Sequence, residues 1–387
     1  MSVPDVLVVG GGIVGAAAAA ECARAGARTV LVERAAVASA ASGRNSGAVW
    51  QPADPVLDAL YRESLARYRA LEQEAAVREV GFELPERPAG ILTLGRDADA
   101  IRATVTGWQA SHPWLGASFV DEAALRQLEP SLAPGLVACR LDIGYPVAPA
   151  AATHAFAAVA RANGATIERA TVERIVTEAG RVQGVIADGR RLEAGAVVAA
   201  AGPWTPELLD PTGRWRPIRP FWGVVVEVEL ADPPRHVLEA AGIEDAIAPG
   251  ALRAARTPDE TEGVVDFSLV TAGGRSALGS TFLPREPDPA AFVDRLVAGG
   301  VAWLPAIATA ALRGVRACAR PVALDGWPLV GPVPGVDGLY VAAGHGPWGI
   351  STGPASGAHV ASLALGTGEG VPASLRAALD PARFGVP

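Results

Sequence analysis

The chain has 387 residues, half of them hydrophobic, which is enough for two domains that each bury a core of their own. A formal net charge of −8, with no stretch that concentrates basic residues, argues against a nucleic-acid partner. The three cysteines are an odd number, which argues against a disulfide framework, and no Cys-x-x-Cys or His/Cys cluster indicates a metal site.

Targeting and membrane signals are absent from the sequence pattern. Residues 1–4 are all that precede the first predicted strand, which leaves no room for a signal peptide. The longest apolar runs are broken by charge or glycine and are too short to span a bilayer. We therefore expect a cytoplasmic protein without an integral membrane segment, and peripheral contact with a membrane surface stays open.

The chain begins with a strand, a glycine-rich turn, a helix and a second strand. Short apolar runs at 5–9 and 29–32 predict buried strands. Residues 16–24 between them predict a helix, and Gly26 follows as its stop signal. The glycine-rich stretch 10–15 joins the first strand to this helix.

Three glycines of this turn match the dinucleotide-binding fingerprint. Gly10 allows the tight turn, Gly12 lets the backbone approach a pyrophosphate, and Gly15 lets helix and strand pack closely. The phosphates would lie at the helix N-terminus, where free N–H groups and the helix dipole favour anions. Glu33, at the end of the second strand, is placed to accept hydrogen bonds from an adenosine ribose. The motif by itself leaves NAD and FAD open.

The rest of the chain alternates between helical and strand-like patterns. Residues 35–50 are small, polar and glycine-rich, which predicts a loop. Helices are predicted at 55–80, 97–109, 121–128, 149–163, from 204, at 289–303 and at 351–365. Strands are predicted at 91–94, 136–141, 166–176, 182–186, 190–192, 196–202, 221–230, 264–270, 276–282, 312–319 and 339–344, with 166–192 as a small antiparallel meander.

Strand–helix–strand patterns lie at both ends and near the middle of the chain, and antiparallel strands fill the gaps. This predicts an α/β protein in which a Rossmann-like dinucleotide-binding domain is interleaved with an antiparallel α+β substrate-binding domain. The first domain takes residues 1–80, 146–215 and 310–387. The second takes residues 81–145 and 216–309.

Four stretches, in order and spread over nearly the whole chain, resemble the FAD-dependent D-amino-acid oxidase family. That family includes glycine oxidase, sarcosine oxidase and D-amino-acid dehydrogenases. The stretches are 8–15 with 33–34 (VVGGGIVG…ER), 41–47 (ASGRNSG), 199–204 (AAAGPW), and 320–331 with 343–350 (RP…DGWPLVG…AGHGPWGI). The last stretch favours FAD over NAD, because nicotinamide dehydrogenases do not end in this way.

The resemblance implies an FAD site whose residue groups each face one part of the cofactor. They are Gly10, Gly12, Ile13, Val14 and Gly15 at the pyrophosphate, Glu33 at the ribose, Arg34 and Val172 at the adenine, Ser42, Arg44, Asn45, Ser46 and Gly47 along the ribityl chain and flavin edge, Ala201, Gly202 and Trp204 closing the pyrophosphate crevice, and Gly344, His345, Gly346, Pro347, Trp348, Gly349, Ile350 and Ser351 at the N1/C2-carbonyl edge of the flavin. A helix starting near Gly349 would stabilise negative charge at that edge.

Arg320 lies where glycine oxidases and D-amino-acid oxidases keep an arginine that binds the substrate carboxylate. A planar guanidinium can hold a carboxylate by two parallel hydrogen bonds. The alternative is a structural arginine before proline at a strand end. Glycine oxidase has a further arginine where this chain has Pro347, so a second carboxylate anchor is missing or comes from elsewhere.

Other candidates each have a structural alternative. Cys318 lies where sarcosine and pipecolate oxidases carry the cysteine that is bonded to the flavin, but it can also be a small buried hydrophobe. His345 could orient substrate or polarise the flavin, or simply pack in the core. Tryptophans on segments that border the flavin in this family could form the substrate pocket or ordinary core. They are Trp50, Trp222, Trp327 and Trp348.

The resemblance implies oxidation of a C–N bond of an amino acid or secondary amine, with hydride transfer to flavin N5 and release of an imine that water hydrolyses. Two alternatives stay open: C–O oxidation of a 2-hydroxy acid, and a non-catalytic flavin-binding subunit of a larger oxidase complex. The expected partners are the small-molecule substrate and an electron acceptor that the sequence does not identify. A homo-oligomer or a place in a complex is possible.

Overall fold

The apolar runs of the sequence form the centre of a mainly parallel sheet in the computed structural model, which describes residues 3–242, 264–367 and 372–387. In chain order the strands are β1 (Val6–Val9), β2 (Thr29–Glu33), β3 (Ala48–Val49), β4 (Ile91–Gly95), β5 (Ser118–Val120), β6 (Val137–Leu141), β7 (Tyr145–Pro146), β8 (Thr166–Arg169), β9 (Val172–Glu178), β10 (Arg181–Ala187), β11 (Arg190–Glu193), β12 (Ala196–Ala199), β13 (Ile218–Glu229), β14 (Val237–Ala240), β15 (Val264–Ala272), β16 (Arg275–Phe282), β17 (Ala311–Ala323), β18 (Leu329–Pro332) and β19 (Leu339–Ala343).

Helices connect these strands and cover one face of the parallel sheet. The α-helices are α1 (Ile13–Arg24), α2 (Ala41–Arg44), α3 (Pro55–Leu71), α4 (Ala98–Ser111), α5 (Glu122–Leu128), α6 (Ala151–Ala162), α7 (Thr205–Leu209), α8 (Val293–Val301), α9 (Gly349–Ala364) and α10 (Ala373–Leu379). Short 3₁₀ helices lie at Ala75–Val77, Pro113–Leu115, Gly202–Trp204, Pro289–Phe292, Pro305–Thr309, Gly346–Trp348 and Pro381–Phe384. Within the described ranges, no helix has both the length and the apolarity to cross a bilayer.

The first sheet has the strand order β18-β19-β12-β1-β2-β8, and every neighbouring pair except β18–β19 is parallel. Its central strands are wholly apolar because both of their faces are covered. Val6, Val8 and Leu31 join the core beneath α1, α6 and α9, while Leu7 and Val9 join a second core against the antiparallel strands β9–β11. This layering is the predicted Rossmann-like α/β arrangement.

The second sheet is mostly antiparallel and has the order β17-β13-β16-β15-β14-β4-β6-β5. Strand β4 lies in segment 81–145 of the predicted substrate-binding domain and β14 in segment 216–309. The two strands pair in parallel. One face of this sheet packs on a hydrophobic core that includes α8, and alternate residues of its strands point the other way. The predicted fold class, an α/β domain interleaved with an antiparallel α+β domain, is confirmed.

Several predicted boundaries are wrong. The stretch 35–50 contains α2 and β3 rather than only loop, and the helix predicted over 55–80 ends at Leu71, after which Val77 packs toward α6 through a 3₁₀ turn. The strand predicted over 166–176 is two strands, because β8 pairs with the edge of β2 while β9 begins the separate meander. Strands β5, β7, β14 and β18 and helix α10 have no counterpart among the predicted elements.

The predicted division into two domains stays a prediction. The strand pairing concerns its last boundary, which was placed at residue 310. The two insertions, 81–145 and 216–309, contribute strands to one sheet. Strand β17 also belongs to that sheet, since it pairs with β13 along its length, although it follows the boundary placed at 310. Residues 243–263 of the second insertion, and residues 368–371 of the last segment, lie outside the described residues.

The crossing of α1 and α9 gives a test of this packing. A Cβ at Gly357 of α9 would lie 2.7 Å from Ala17 Cβ and 2.7 Å from the Val14 carbonyl oxygen of α1. Because the backbone of α1 cannot easily move, we expect Gly357→Ala to lower the free energy of unfolding by about 1–3 kcal/mol, measured by urea denaturation.

The matched control is Gly299→Ala in α8. Gly299 is exposed, and a Cβ there would have no neighbour within 4 Å. The same substitution should therefore raise the free energy of unfolding, by about 0.4–1 kcal/mol, because alanine has fewer conformations to lose on folding. Equal effects at both positions would contradict the close crossing.

Candidate active site

A continuous cavity runs from the glycine-rich turn of the first sheet to one face of the second sheet. Its wall takes residues from the β1–α1 turn, from the segments around 40–50, 170–172 and 200–204, from the second sheet, and from 342–351. The carboxyl ends of neighbouring parallel strands meet at one edge of a sheet, which is where such folds bind ligands. Most of the residues predicted to bind cofactor and substrate therefore line this one cavity.

The glycine-rich turn is too narrow for side chains. Gly10 has a φ of +109°, and a Cβ there would overlap the carbonyl group of Ala200 in the β12 end. A Cβ at Gly15 would overlap the Gly10 carbonyl. Gly12, Ile13 and Val14 line the cavity at the start of α1, whereas Gly15 does not line it and instead lets the helix approach the turn.

The acid and the arginine at the end of β2 lie at one end of the cavity. Glu33 accepts hydrogen bonds from the backbone N–H of Gly11 at 2.7 Å and of Ala35 at 3.0 Å, which fixes its carboxylate beside the turn. The Arg34 guanidinium stacks on the Trp204 ring, with its Cζ 3.8 Å from the ring centroid. Both of these side chains line the cavity, as do Val172, Ala201 and Gly202.

The short helix α2 brings polar residues to the start of α1. Ser42 Oγ accepts a hydrogen bond from the Ile13 N–H at 2.9 Å, so it satisfies a donor at the helix N-terminus. Asn45 is held by hydrogen bonds to the backbone of the same loop. Ser42, Asn45 and Ser46 line the cavity.

Arg44 and Gly47 do not line the cavity, in contrast to their predicted place along the flavin. Arg44 points to the second sheet, where its Nη1 donates to the Ala317 carbonyl at 3.4 Å. Gly47 has a φ of +88°, and a Cβ there would overlap the Val147 carbonyl oxygen. Its glycine conformation is therefore needed where the chain passes from α2 to β3, outside the cavity wall.

The turn after β19 places a histidine in the cavity wall. Gly344 makes this turn with a φ of +91° and lies behind the wall, and His345 to Ser351 line the cavity. His345 is 2% exposed, and its Nε2 has no hydrogen-bond partner in the part of the chain that the structure describes. Burial lowers the pKa of His345 to about 3, so the imidazole is neutral near pH 7.

Arg320 enters the cavity from the second sheet. Its Nη1 donates to the Thr281 carbonyl at 2.9 Å and its Nη2 to Ser280 Oγ at 3.0 Å, and its Cζ lies 4.5 Å from the centroid of the Phe282 ring. Burial lowers the pKa of the guanidinium below its usual value, but arginine stays protonated in proteins. The wall therefore carries a fixed positive charge.

Cys318 lies two residues before Arg320 on β17 and is buried in the cavity wall. Burial raises the pKa of the thiol, and the charges of Arg320, Arg316 and Arg44 only partly oppose this. A thiol that stays protonated is a poor nucleophile, which favours the small buried residue over the covalent link to the flavin.

The predicted tryptophans separate into two groups. Trp50 and Trp348 line the cavity and meet edge to face, with ring centroids 6.5 Å apart. Trp222 does not line the cavity: it packs with the hydrophobic core on the opposite face of the second sheet, because alternate residues of β13 point to opposite faces. Trp327 donates its indole N–H to Asp54 and does not line the cavity.

The second sheet also contributes wall residues that the sequence analysis missed. They are Val225, Glu239, Ser268, Ser280 and Phe282. Glu239, Ser268 and Ser280 are buried polar residues in the interior of strands β14, β15 and β16. Polar side chains in such strands were the available signal, since buried polar groups in a strand interior need a partner or a ligand.

Comparison with known proteins agrees with this geometry. Residues 5–363 match the family described as FAD dependent oxidoreductase (DAO). The chain is 29% identical to a glycine oxidase of Bacillus licheniformis over 375 residues, which is 94% of this chain and 93% of that protein. It is 27% identical to a D-amino acid dehydrogenase of Rhizobium johnstonii over 314 residues, or 75% and 68% of the two chains.

A solved structure supports the same assignment. The crystal structure of glycine oxidase from Geobacillus kaustophilus superposes with a TM-score of 0.81 at 25% identity, over 98% of each chain. The chain therefore belongs to the DAO family of FAD-dependent oxidoreductases and is an enzyme that uses FAD.

Proposed function

We propose that this enzyme oxidises the C–N bond of an amino acid or an N-substituted amino acid, and that Arg320 holds the carboxylate of the substrate. The observation that carries the proposal is the fixed guanidinium of Arg320 in the wall of the cavity that also takes in the glycine-rich turn and His345. Within the described residues, no Asp or Glu forms an ion pair with Arg320, and a buried cation of this kind is suited to an anionic ligand.

The residues of the wall fit FAD. The narrow turn at Gly10 and Gly12 and the start of α1 would hold the pyrophosphate, Glu33 the ribose, and the stacked Arg34 and Trp204 the adenine side. The segment from His345 to Ser351 would hold the flavin edge, where the unpartnered Nε2 of His345 and the start of α9 are available. When bound, FAD supplies the acceptor for a hydride, which carries two electrons.

The chain's own residues would orient the substrate and exclude water. Two N–H groups of Arg320 are used by Thr281 and Ser280, and the remaining guanidinium donors can bind a carboxylate. The rings of Trp50, Trp348 and Phe282 would exclude water, and the fixed positive charge of Arg320 in the same wall disfavours a charged ammonium, so the amine would react in its neutral form. The α-carbon then loses its hydrogen with the bonding electrons, the nitrogen loses a proton, and water hydrolyses the resulting imine.

The rival reaction, oxidation of a 2-hydroxy acid, would present the same carboxylate to Arg320. We therefore expect anaerobic mixing of the purified enzyme with a panel of D-, L- and N-methyl amino acids to bleach the oxidised flavin absorption band. Matched 2-hydroxy acids with the same side chains are the control. Bleaching by the hydroxy acids alone would replace C–N by C–O oxidation, and bleaching by neither would refute a catalytic site for carboxylate substrates.

Substitution of Arg320 tests its role. Arg320→Ala removes charge-assisted hydrogen bonds worth roughly 1.5–3 kcal/mol, so we expect the KM of a carboxylate substrate to rise roughly 10- to 100-fold. Arg320→Lys should recover only part of this, because an ammonium lacks the fork that matches a carboxylate. Arg313→Ala, an exposed arginine of the same strand that pairs with Glu229, should leave the KM unchanged. An unchanged KM in Arg320→Ala would refute the assigned role.

The neutral state of His345 gives a pH dependence of stability. An unfolded histidine binds a proton below pH 6.5, whereas buried His345 does not until about pH 3, so the unfolded state binds more protons in this window and stability falls as the pH falls from 6.5. Between pH 6.5 and 5 this amounts to roughly 2 kcal/mol. Urea denaturation of His345→Asn should show a smaller loss on acidification than the parent enzyme, whereas the exposed His154→Asn should match the parent. Equal losses in all three proteins would contradict a buried neutral imidazole.

A further inference from the structure

We infer that Gly223 is a positioning residue for the substrate: the Arg320 guanidinium occupies the space that a side chain at Gly223 would fill. The inference rests on the proposed function, in which Arg320 binds the carboxylate. Gly223 belongs to no motif that the sequence analysis singled out, and it acts here through Arg320 rather than by touching the reacting atoms.

The path of the Arg320 side chain across the second sheet explains why a glycine is needed. Arg320 lies on β17, and its hydrogen-bond partners Ser280 and Thr281 lie on β16, with β13 between these two strands. Gly223 of β13 pairs with Cys318 of β17, two residues from Arg320. The guanidinium therefore reaches its partners only by crossing β13, and it crosses at Gly223.

The clearance at this crossing is too small for any side chain. A Cβ at Gly223 would lie 2.5 Å from Nη1 and 2.6 Å from Cζ of Arg320, and closer still to Nη2. Carbon atoms do not approach so closely, so either the guanidinium or the strand would have to move. Since Cζ and both terminal nitrogens are involved, the end of the Arg320 guanidinium lies over Gly223.

Backbone conformation does not account for the glycine. Gly223 is not among the residues with a positive φ, and it lies in regular pairing between β13 and β17. An alanine would adopt this backbone without strain, and strand interiors generally disfavour glycine. The close approach of Arg320 is thus the reason that the structure offers for a glycine at this position.

The other sides of the guanidinium are also fixed. Thr281 and Ser280 hold its edge, and the Phe282 ring lies near its Cζ. Strand β16 is itself tied to β13 by the Val224 N–H, which donates to Thr281 Oγ1 at 2.8 Å. A Cβ at 223 would push the guanidinium away from these partners and toward the cavity, and a bound carboxylate would shift with it.

The test measures carboxylate binding in Gly223→Ala. The probe is benzoate, which has a carboxylate but no C–N bond to oxidise, and its Kd is read from the change in the flavin absorption spectrum of the FAD-loaded enzyme. We expect Gly223→Ala to raise this Kd at least tenfold without loss of FAD. Gly314→Ala on β17, where a Cβ has no neighbour within 4 Å, should leave the Kd unchanged. An unchanged Kd in Gly223→Ala overturns the inference.

A double-variant cycle separates positioning from damage to the fold. If Gly223 acts through Arg320, adding Gly223→Ala to Arg320→Ala causes no further rise in Kd, whereas an additive rise overturns the inference. If Gly223→Ala alone does not fold, the double variant should fold, because it removes the clash, and failure of both overturns the inference. If Arg320→Ala itself leaves the Kd unchanged, the proposed function fails, a result distinct from loss of the Gly223 effect alone.

Discussion

The whole site depends on how closely the backbone of the β1–α1 turn approaches the end of β12. At Gly10 a single added carbon would overlap the Ala200 carbonyl, so only glycine lets the turn pass this close to the end of β12 and leave the start of α1 facing the cavity. Helix α1 can lie this close because half of its residues are alanine, and α9 crosses it at Gly357. Since α9 begins just after His345, this crossing also sets where the histidine segment lies relative to the turn.

The second sheet is held in a fixed position relative to the β1–α1 turn by hydrogen bonds from β17. Arg316 of β17 donates to the backbone carbonyls of Arg44 and Asn45 at 3.2 and 3.0 Å, and Arg44 donates back to the Ala317 carbonyl. These bonds tie β17 to the loop that also contacts the start of α1. The tether explains why Arg44 lies behind the cavity wall, and it fixes the strand from which Arg320 reaches across Gly223.

The charges of the cavity wall follow from burial. The guanidinium of Arg320 stays charged in spite of burial, whereas the imidazole of His345 is neutral and the thiol of Cys318 is protonated. The same cavity wall holds the Arg320 cation and the aromatic rings of Trp50, Trp348 and Phe282, so in the proposed reaction Arg320 would anchor the carboxylate and the rings would exclude water from the amine. This combination supports an amino acid over a simple amine as substrate.

The sequence by itself determined the parts whose signals are local. The turn at Gly10, Gly12 and Gly15, the acid at the end of β2 and the interleaved α/β and antiparallel segments all follow from short patterns of apolar residues and glycine. Contacts between distant strands were decided only by the tertiary structure. The sequence could not show that Trp222 faces the core, that β8 pairs with β2 rather than with the meander, or that Arg320 crosses β13 at Gly223. Strand order and the direction in which a side chain points from its strand depend on partners that are far away in the chain.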